Sequence, residues 1–214
     1  MKYQLAIFDL DGTLLNTLED LADSTNYIMR KFGYPERTLK EVRCFVGNGI
    51  RKLLERSAPV GTPAEEIDRM FEQFKEHYGA HCADKTKPYD GIMELLEKLK
   101  KQGVMLAVVS NKADYAVKAL CEQYFPGMFH EAVGERVGIA RKPAPDTVEE
   151  VLKNLKMDKS QAVYIGDSEV DVQTARNAKL DCIAVDWGFR DIEVLKEAGA
   201  ETIVSTPETL FNYL

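Results

Sequence analysis

From residue 91 onward, short apolar runs alternate with stretches whose apolar residues recur at helical spacing. Residues 104–109, 162–165, 182–185 and 202–204 read as strands, with a weaker one at 131–133. Between and after them, residues 92–101, 113–124, 145–155, 169–178, 192–198 and 207–213 read as helices. This rhythm predicts an α/β fold, a parallel sheet covered by helices on both faces, with ligands bound beyond the carboxyl ends of the strands. The opening run, residues 3–10, is apolar and ends in acids, Gly and Thr, and reads as one more buried strand.

Residues 18–82 break the alternation. Leu18, Leu21, Ala22, Thr25, Ile28, Met29 and Phe32 share one helical face, and Gly33 with Pro35 closes that helix. Residues 49–56 and 63–78 read as two more helices, the second opened by Thr62-Pro63-Ala64-Glu65, which resembles a capping box. The organisation expected is a core of residues 1–15 and 83–214, interrupted by an all-helical unit at 16–82.

The 28 Lys and Arg residues stand against 35 Asp and Glu, a net charge of −7 that argues against nucleic-acid and anionic-membrane partners. No apolar run approaches the ~20 residues of a membrane helix, and the first nine residues are too short an apolar stretch for a secretory signal. Cys44, Cys82, Cys121 and Cys182 are widely spaced and form no C-x-x-C pair, so reduced thiols and a cytoplasmic setting are expected.

The strand ends carry the chemistry. They supply Asp9-Leu10-Asp11-Gly12-Thr13, then Ser110-Asn111-Lys112, then Gly166-Asp167-Ser168-Glu169-Val170-Asp171, and a loop adds Arg141-Lys142-Pro143. Asp9 and Asp11 are two apart on extended chain and can point the same way. Carboxylates that close repel, and Asp9, Asp11, Asp167 and Asp171 together call for a hard divalent cation, Mg²⁺ by preference. Gly12 and Thr13 offer N–H groups and a hydroxyl for anionic oxygens. The set suits phosphoryl transfer. In that reading Asp9 is the nucleophile that forms an aspartyl-phosphate, and Asp11 is the acid and then the base. Ser110, Asn111 and Lys142 bind the phosphoryl group, Asp167 ligates the metal, and Asp171 orients a metal-bound water. Glu169 is a competitor for Asp171, and Lys112 or Arg141 for Lys142.

This ordered set resembles the four motifs of the haloacid dehalogenase superfamily: Asp-x-Asp-Gly-Thr, Ser-Asn, Lys-Pro and Gly-Asp-Ser-x-x-Asp. The resemblance spans nearly the whole chain. It implies a Rossmann-like core, Mg²⁺ dependence and a helical cap over the substrate, with the metal held by Asp9, the backbone carbonyl of Asp11, and Asp167. Within the superfamily the chain looks most like bacterial phosphoglycolate phosphatases, through 45–50 and 53–56, through 142–146, and through Trp187-Gly188-Phe189. That likeness places Gly47, Asn48 and Gly49 in a substrate loop of the cap, with Arg51, Lys52 or Arg56 available for a substrate carboxylate.

The expected activity is Mg²⁺-dependent hydrolysis of a small phosphorylated metabolite, 2-phosphoglycolate first, by a monomer or homodimer. A β-phosphoglucomutase-like phosphotransferase is the nearest rival, followed by a pyrophosphatase, nucleotidase or sugar-phosphate phosphatase of the same family. A dehalogenase or phosphonate hydrolase is disfavoured by Asp11. A receiver-like module that only accepts phosphate would not need a helical insertion of about 65 residues. His77 and His81, four apart and next to Cys82, raise a zinc alternative, weakened by the want of further ligands.

Overall fold

Leu5, Ala6, Ile7 and Phe8 are four apolar side chains in succession, none of them reaching solvent. A strand buried on both faces belongs at the centre of a covered sheet. The computed structural model, which describes all 214 residues, places it there.

In chain order the elements begin with β1 (Leu5–Phe8), β2 (Leu15–Asn16), α1 (Leu18–Lys31), α2 (Leu39–Phe45), α3 (Ile50–Ser57) and α4 (Ala64–His81). Next come β3 (Lys87–Pro88), α5 (Ile92–Lys101), β4 (Met105–Ala113), α6 (Asp114–Tyr124), β5 (Glu131–Glu135) and α7 (Asp146–Leu155). The chain finishes with β6 (Ala162–Gly166), α8 (Glu169–Ala178), β7 (Asp181–Val185), α9 (Ile192–Glu197), β8 (Ile203–Val204) and α10 (Pro207–Phe211). Two compact units result, residues 1–15 with 88–214, and residues 16–87.

In the first unit six parallel strands take the order β5-β4-β1-β6-β7-β8. The chain fills one side of β1 and then crosses to the other, so the crevice at the strands' carboxyl ends opens beside β1. Phe8 is level with Val108 of β4 and Ile165 of β6, which brings Asp9, Ser110 and Asp167 to the same end of the sheet within two residues of that line. Leu5, Ile7, Ala107, Val109 and Tyr164 pack against Val148, Val151 and Leu152 of α7 and Ala175 and Ala178 of α8. On α5, Ile92, Leu95, Leu96 and Leu99 are buried, each contributing roughly 1.5–3 kcal/mol.

The second unit is built from α1 to α4. Ile28, Met29, Val42, Leu53, Leu54, Met70 and Phe74 are buried in it. Two sequence expectations are corrected here. The capping box lies at α2, where the Glu41 N–H donates to Thr38 Oγ1 (3.3 Å) and the Thr38 N–H donates to the Glu41 carboxylate (2.7 Å). At α4 Pro63 is the capping residue, and the Thr62 hydroxyl donates to the Pro59 carbonyl instead. The boundary of the unit also falls at 87 rather than 82. Its cause is Asp20, buried on α1, whose carboxylate accepts from the Lys85 N–H, the Thr86 N–H (2.8 Å) and the Thr86 hydroxyl (2.8 Å). Asp20→Ala strands those donors and is expected to cost about 2–3 kcal/mol. The urea midpoint reads it; an unchanged midpoint removes Asp20 from the fold's supports.

Candidate active site

Asp9 leaves β1 at its carboxyl end, and its N–H continues the sheet by donating to the Ile165 carbonyl (2.8 Å). Asp167 leaves β6, and Asp171 stands one turn into α8. Carboxylate oxygens of these three come within 4.8 Å of one another. All three groups are nearly or fully buried.

Lys142 bridges two of them. Its Nζ lies 2.9 Å from Asp9 Oδ1 and 2.8 Å from Asp171 Oδ1, and donates to Tyr164 Oη at 3.0 Å. Tyr164 in turn donates to the Val109 carbonyl, which anchors the lysine's perch in the sheet. Across the site, the Asn111 side-chain amide donates to the Lys142 backbone carbonyl (3.1 Å). Asp171 Oδ2 accepts from the Ser168 N–H and hydroxyl, so Asp171 also closes the first turn of α8.

Asp167 is held from two loops. The Thr13 hydroxyl donates to Oδ1 (3.2 Å) and the Phe189 N–H donates to Oδ2 (2.7 Å). The segment after β7 is fixed by Trp187, whose indole N–H donates to the Thr13 carbonyl (3.0 Å). Room for this is made by two glycines. A β-carbon on Gly188 would overlap the Asp167 side chain and the Gly12 carbonyl oxygen, and one on Gly12 would overlap Asp167. Gly12 also takes φ 87°, a left-handed backbone that suits glycine.

Burial pushes the Asp9 carboxyl up to about 7; Lys142 works against that rise, and Asp171 and Asp11 add to it. Burial, with Asp171 and Asp9 beside it, likewise pushes Asp167 well above the usual carboxylate range. Burial opposes charge on Lys142, yet Asp171 and Asp9 hold its pKa well above that of an ordinary lysine. Three clustered buried carboxylates, only two of them paired with an ammonium, leave surplus negative charge where little water can screen it. An all-oxygen donor set of that kind fits a hard divalent cation such as Mg²⁺.

Several sequence assignments change on this geometry. The Asp11 carboxylate lies outside the cluster and is held by Lys112 Nζ, at 3.0 Å and 3.1 Å from its two oxygens. Gly12 and Thr13 do not offer free donors to phosphate. The Gly12 N–H donates to the Leu15 carbonyl (2.9 Å), the Thr13 N–H to the Leu10 carbonyl, and the Thr13 hydroxyl to Asp167. Both residues shape the turn and brace the acid cluster. Glu169 pairs with Arg190 (2.7 Å) and stands outside the cluster, and Arg141 faces Glu135. Sequence reasoning weighed Lys112 only as a competitor for Lys142 and gave no role to Tyr164 or Arg190; for Phe189 the Trp187-Gly188-Phe189 run was the one signal available.

In the helical unit, Gly47 (φ 106°) and Gly49 (φ 82°) flank Asn48, and Gly49 caps α3. Arg51 pairs with Asp68 and Glu55, Lys52 with Glu55, and Arg56 donates to the Phe45 carbonyl. The three cations thus have partners inside their own unit. His77 stacks on Tyr27 with ring centroids 4.0 Å apart and contacts the Ser24 hydroxyl, while His81 contacts Asp84.

Residues 6–185 match the family model of haloacid dehalogenase-like hydrolases. The phosphoglycolate phosphatase of Caulobacter vibrioides is 36% identical over 201 residues, covering 92% of this chain and 84% of that protein. The N-acetylmuramic acid 6-phosphate phosphatase of Pseudomonas aeruginosa is 29% identical, covering 100% of this chain and 96% of that one. A crystal structure from Lactobacillus delbrueckii subsp. bulgaricus, named as a candidate phosphoglycolate phosphatase, superposes with a TM-score of 0.94 at 42% identity and covers 100% of this chain and 98% of that one. With its motifs at the ends of β1, β4 and β6, this chain belongs to the haloacid dehalogenase-like hydrolases and is a phosphatase of that family.

Proposed function

We propose that the protein hydrolyses the phosphomonoester of a small metabolite in a Mg²⁺-dependent reaction, with 2-phosphoglycolate as its substrate. The observation that carries the chemistry is the cluster of Asp9, Asp167 and Asp171, two of whose carboxylates Lys142 bridges, with the Asp11 side chain held outside it. The phosphoglycolate phosphatases among its relatives support the substrate. Free thiols at all four cysteines agree with a cytoplasmic setting.

Asp9, Asp167 and the Asp11 backbone carbonyl would hold the cation, with Asp171 orienting its water. Bound there, Mg²⁺ screens the repulsion between the nucleophile and the phosphoryl oxygens. A carboxylate oxygen of Asp9 attacks phosphorus, the bond to the substrate oxygen breaks, and Asp11 delivers a proton to the leaving alkoxide. Water then attacks the aspartyl-phosphate, its proton passes to Asp11, and the bond to Asp9 breaks to release phosphate. Lys142 offsets the charge that builds on Asp9 and the phosphoryl group, and the Ser110 hydroxyl donates to a phosphoryl oxygen.

The test is phosphate release from 2-phosphoglycolate, pyrophosphate, nucleoside monophosphates and hexose phosphates, with N-acetylmuramic acid 6-phosphate added because one relative acts on it. The highest kcat/KM is expected with 2-phosphoglycolate, with at least about a 100-fold loss in EDTA. Equal release with and without the chelator ends the Mg²⁺ assignment, and preference for a sugar phosphate ends the substrate assignment. A requirement for a sugar bisphosphate with little net release identifies a mutase.

A further inference from the structure

Lys112 has a buried side chain, only 3% exposed and as enclosed as that of Lys142. Lysine is almost never so buried without a partner. Here Nζ lies 3.0 Å from one oxygen of Asp11 and 3.1 Å from the other, so the ammonium grips both arms of the carboxylate. The Lys112 N–H also donates to Ser110 Oγ (3.3 Å). Ser110 and Lys112 are two apart on β4 and are tied by that bond, while the Asn111 amide between them donates to the Lys142 carbonyl. The register with β5 shifts between Val109 and Ala113, so this stretch bulges from the ladder before Ala113 pairs with Glu135.

We propose that Lys112 is a positioning residue for the phosphatase reaction, fixing the Asp11 carboxylate through its side chain and the Ser110 hydroxyl oxygen through its backbone. This rests on the hydrolytic reading above, in which Asp11 acts in both half-reactions. Asp11 stands at the entry to a turn, is partly exposed, and has two side-chain torsions to fix before it can serve a reacting oxygen. An ammonium on a buried strand removes that freedom before substrate arrives. Misplacement of a reacting group by about 1 Å costs on the order of 100-fold in rate. In this role Lys112 acts through the two groups it holds.

The experiment compares Lys112→Met with the wild type on 2-phosphoglycolate and on p-nitrophenyl phosphate. The nitrophenolate leaves without a proton, so with that substrate formation of the aspartyl-phosphate does not need Asp11, whereas its hydrolysis does. With 2-phosphoglycolate, kcat is expected to fall about 30–100-fold with KM within about threefold. With p-nitrophenyl phosphate, the variant is expected to release one nitrophenolate per active site in a burst and then turn over slowly. Lys112→Arg, which keeps a cation in place, should recover most of kcat and lose the burst. Should the Met variant fail to fold, Lys112→Gln takes its place in the same assay. A folded variant with wild-type kcat, or with a lowered rate and no burst, overturns the proposal. Failure of the wild type to release phosphate from either substrate overturns the hydrolytic reading instead.

Discussion

Asp9→Asn is expected to lower phosphate release at least about 10⁴-fold while the metal-free protein melts no lower than the wild type, and higher at alkaline pH. The first effect follows because an amide cannot attack phosphorus as a carboxylate does. The second follows from burial, which raises the Asp9 carboxyl from an ordinary 3.8 to about 7 with Asp171 and Asp11 adding to the rise. The native state then keeps a proton that the unfolded chain gives up, so Asp9 takes stability away as pH climbs from about 4 to about 7. The Asn side chain carries no charge and escapes that loss, and Asp171 still holds Lys142. Phosphate release and thermal melts in EDTA at several pH values read both effects. Near-normal turnover removes Asp9 as the nucleophile. A melt lowered by several degrees shows that its carboxylate supports the fold.

Lys142→Met is expected to damage both properties together. The substitution leaves Asp9 and Asp171 buried without the ammonium that lies 2.9 Å from one and 2.8 Å from the other. Removing one partner of a buried ion pair costs about 3–5 kcal/mol, and loss of a cation at a phosphoryl group costs about 10³-fold in rate. Urea denaturation at neutral pH and steady-state phosphate release measure the two losses. Adding Asp9→Asn to this variant should restore part of the lost stability and none of the activity, because the two side chains share one cluster. Stability equal to wild type in the single variant would mean that the acid cluster does not depend on Lys142 for its charge balance.

The parts of the molecule legible in the sequence are those whose signals are local. The helix at Ile92–Lys101 and the one at Glu169–Ala178 have the spans that their apolar spacing predicts. β1 could be read because four apolar residues run directly into an acidic turn. α2 could not, since only Val42 of its seven residues is buried and a single buried position has no periodicity. β4 was read as ending at 109 because Ser110, Asn111 and Lys112 are polar; it continues because β5 pairs with it as far as Ala113. The four motifs were visible as residue types at strand ends, but their division of labour was not. Asp11 and Lys112 are 101 positions apart, and nothing in either segment announces that one holds the other. The same holds for Thr13, whose hydroxyl is engaged by an acid 154 positions away rather than left for a ligand.

Crowding around Asp167 limits how this chemistry could be moved to another scaffold. Copying only the acids and the lysine onto a similar sheet would leave side chains where Gly12 and Gly188 stand, and either would force Asp167 out of the position in which Thr13 and Phe189 hold it. A successful transplant therefore needs two absences of side chain as much as it needs any functional group, and a design that scores donor atoms alone will reproduce the chemistry's inventory without its shape.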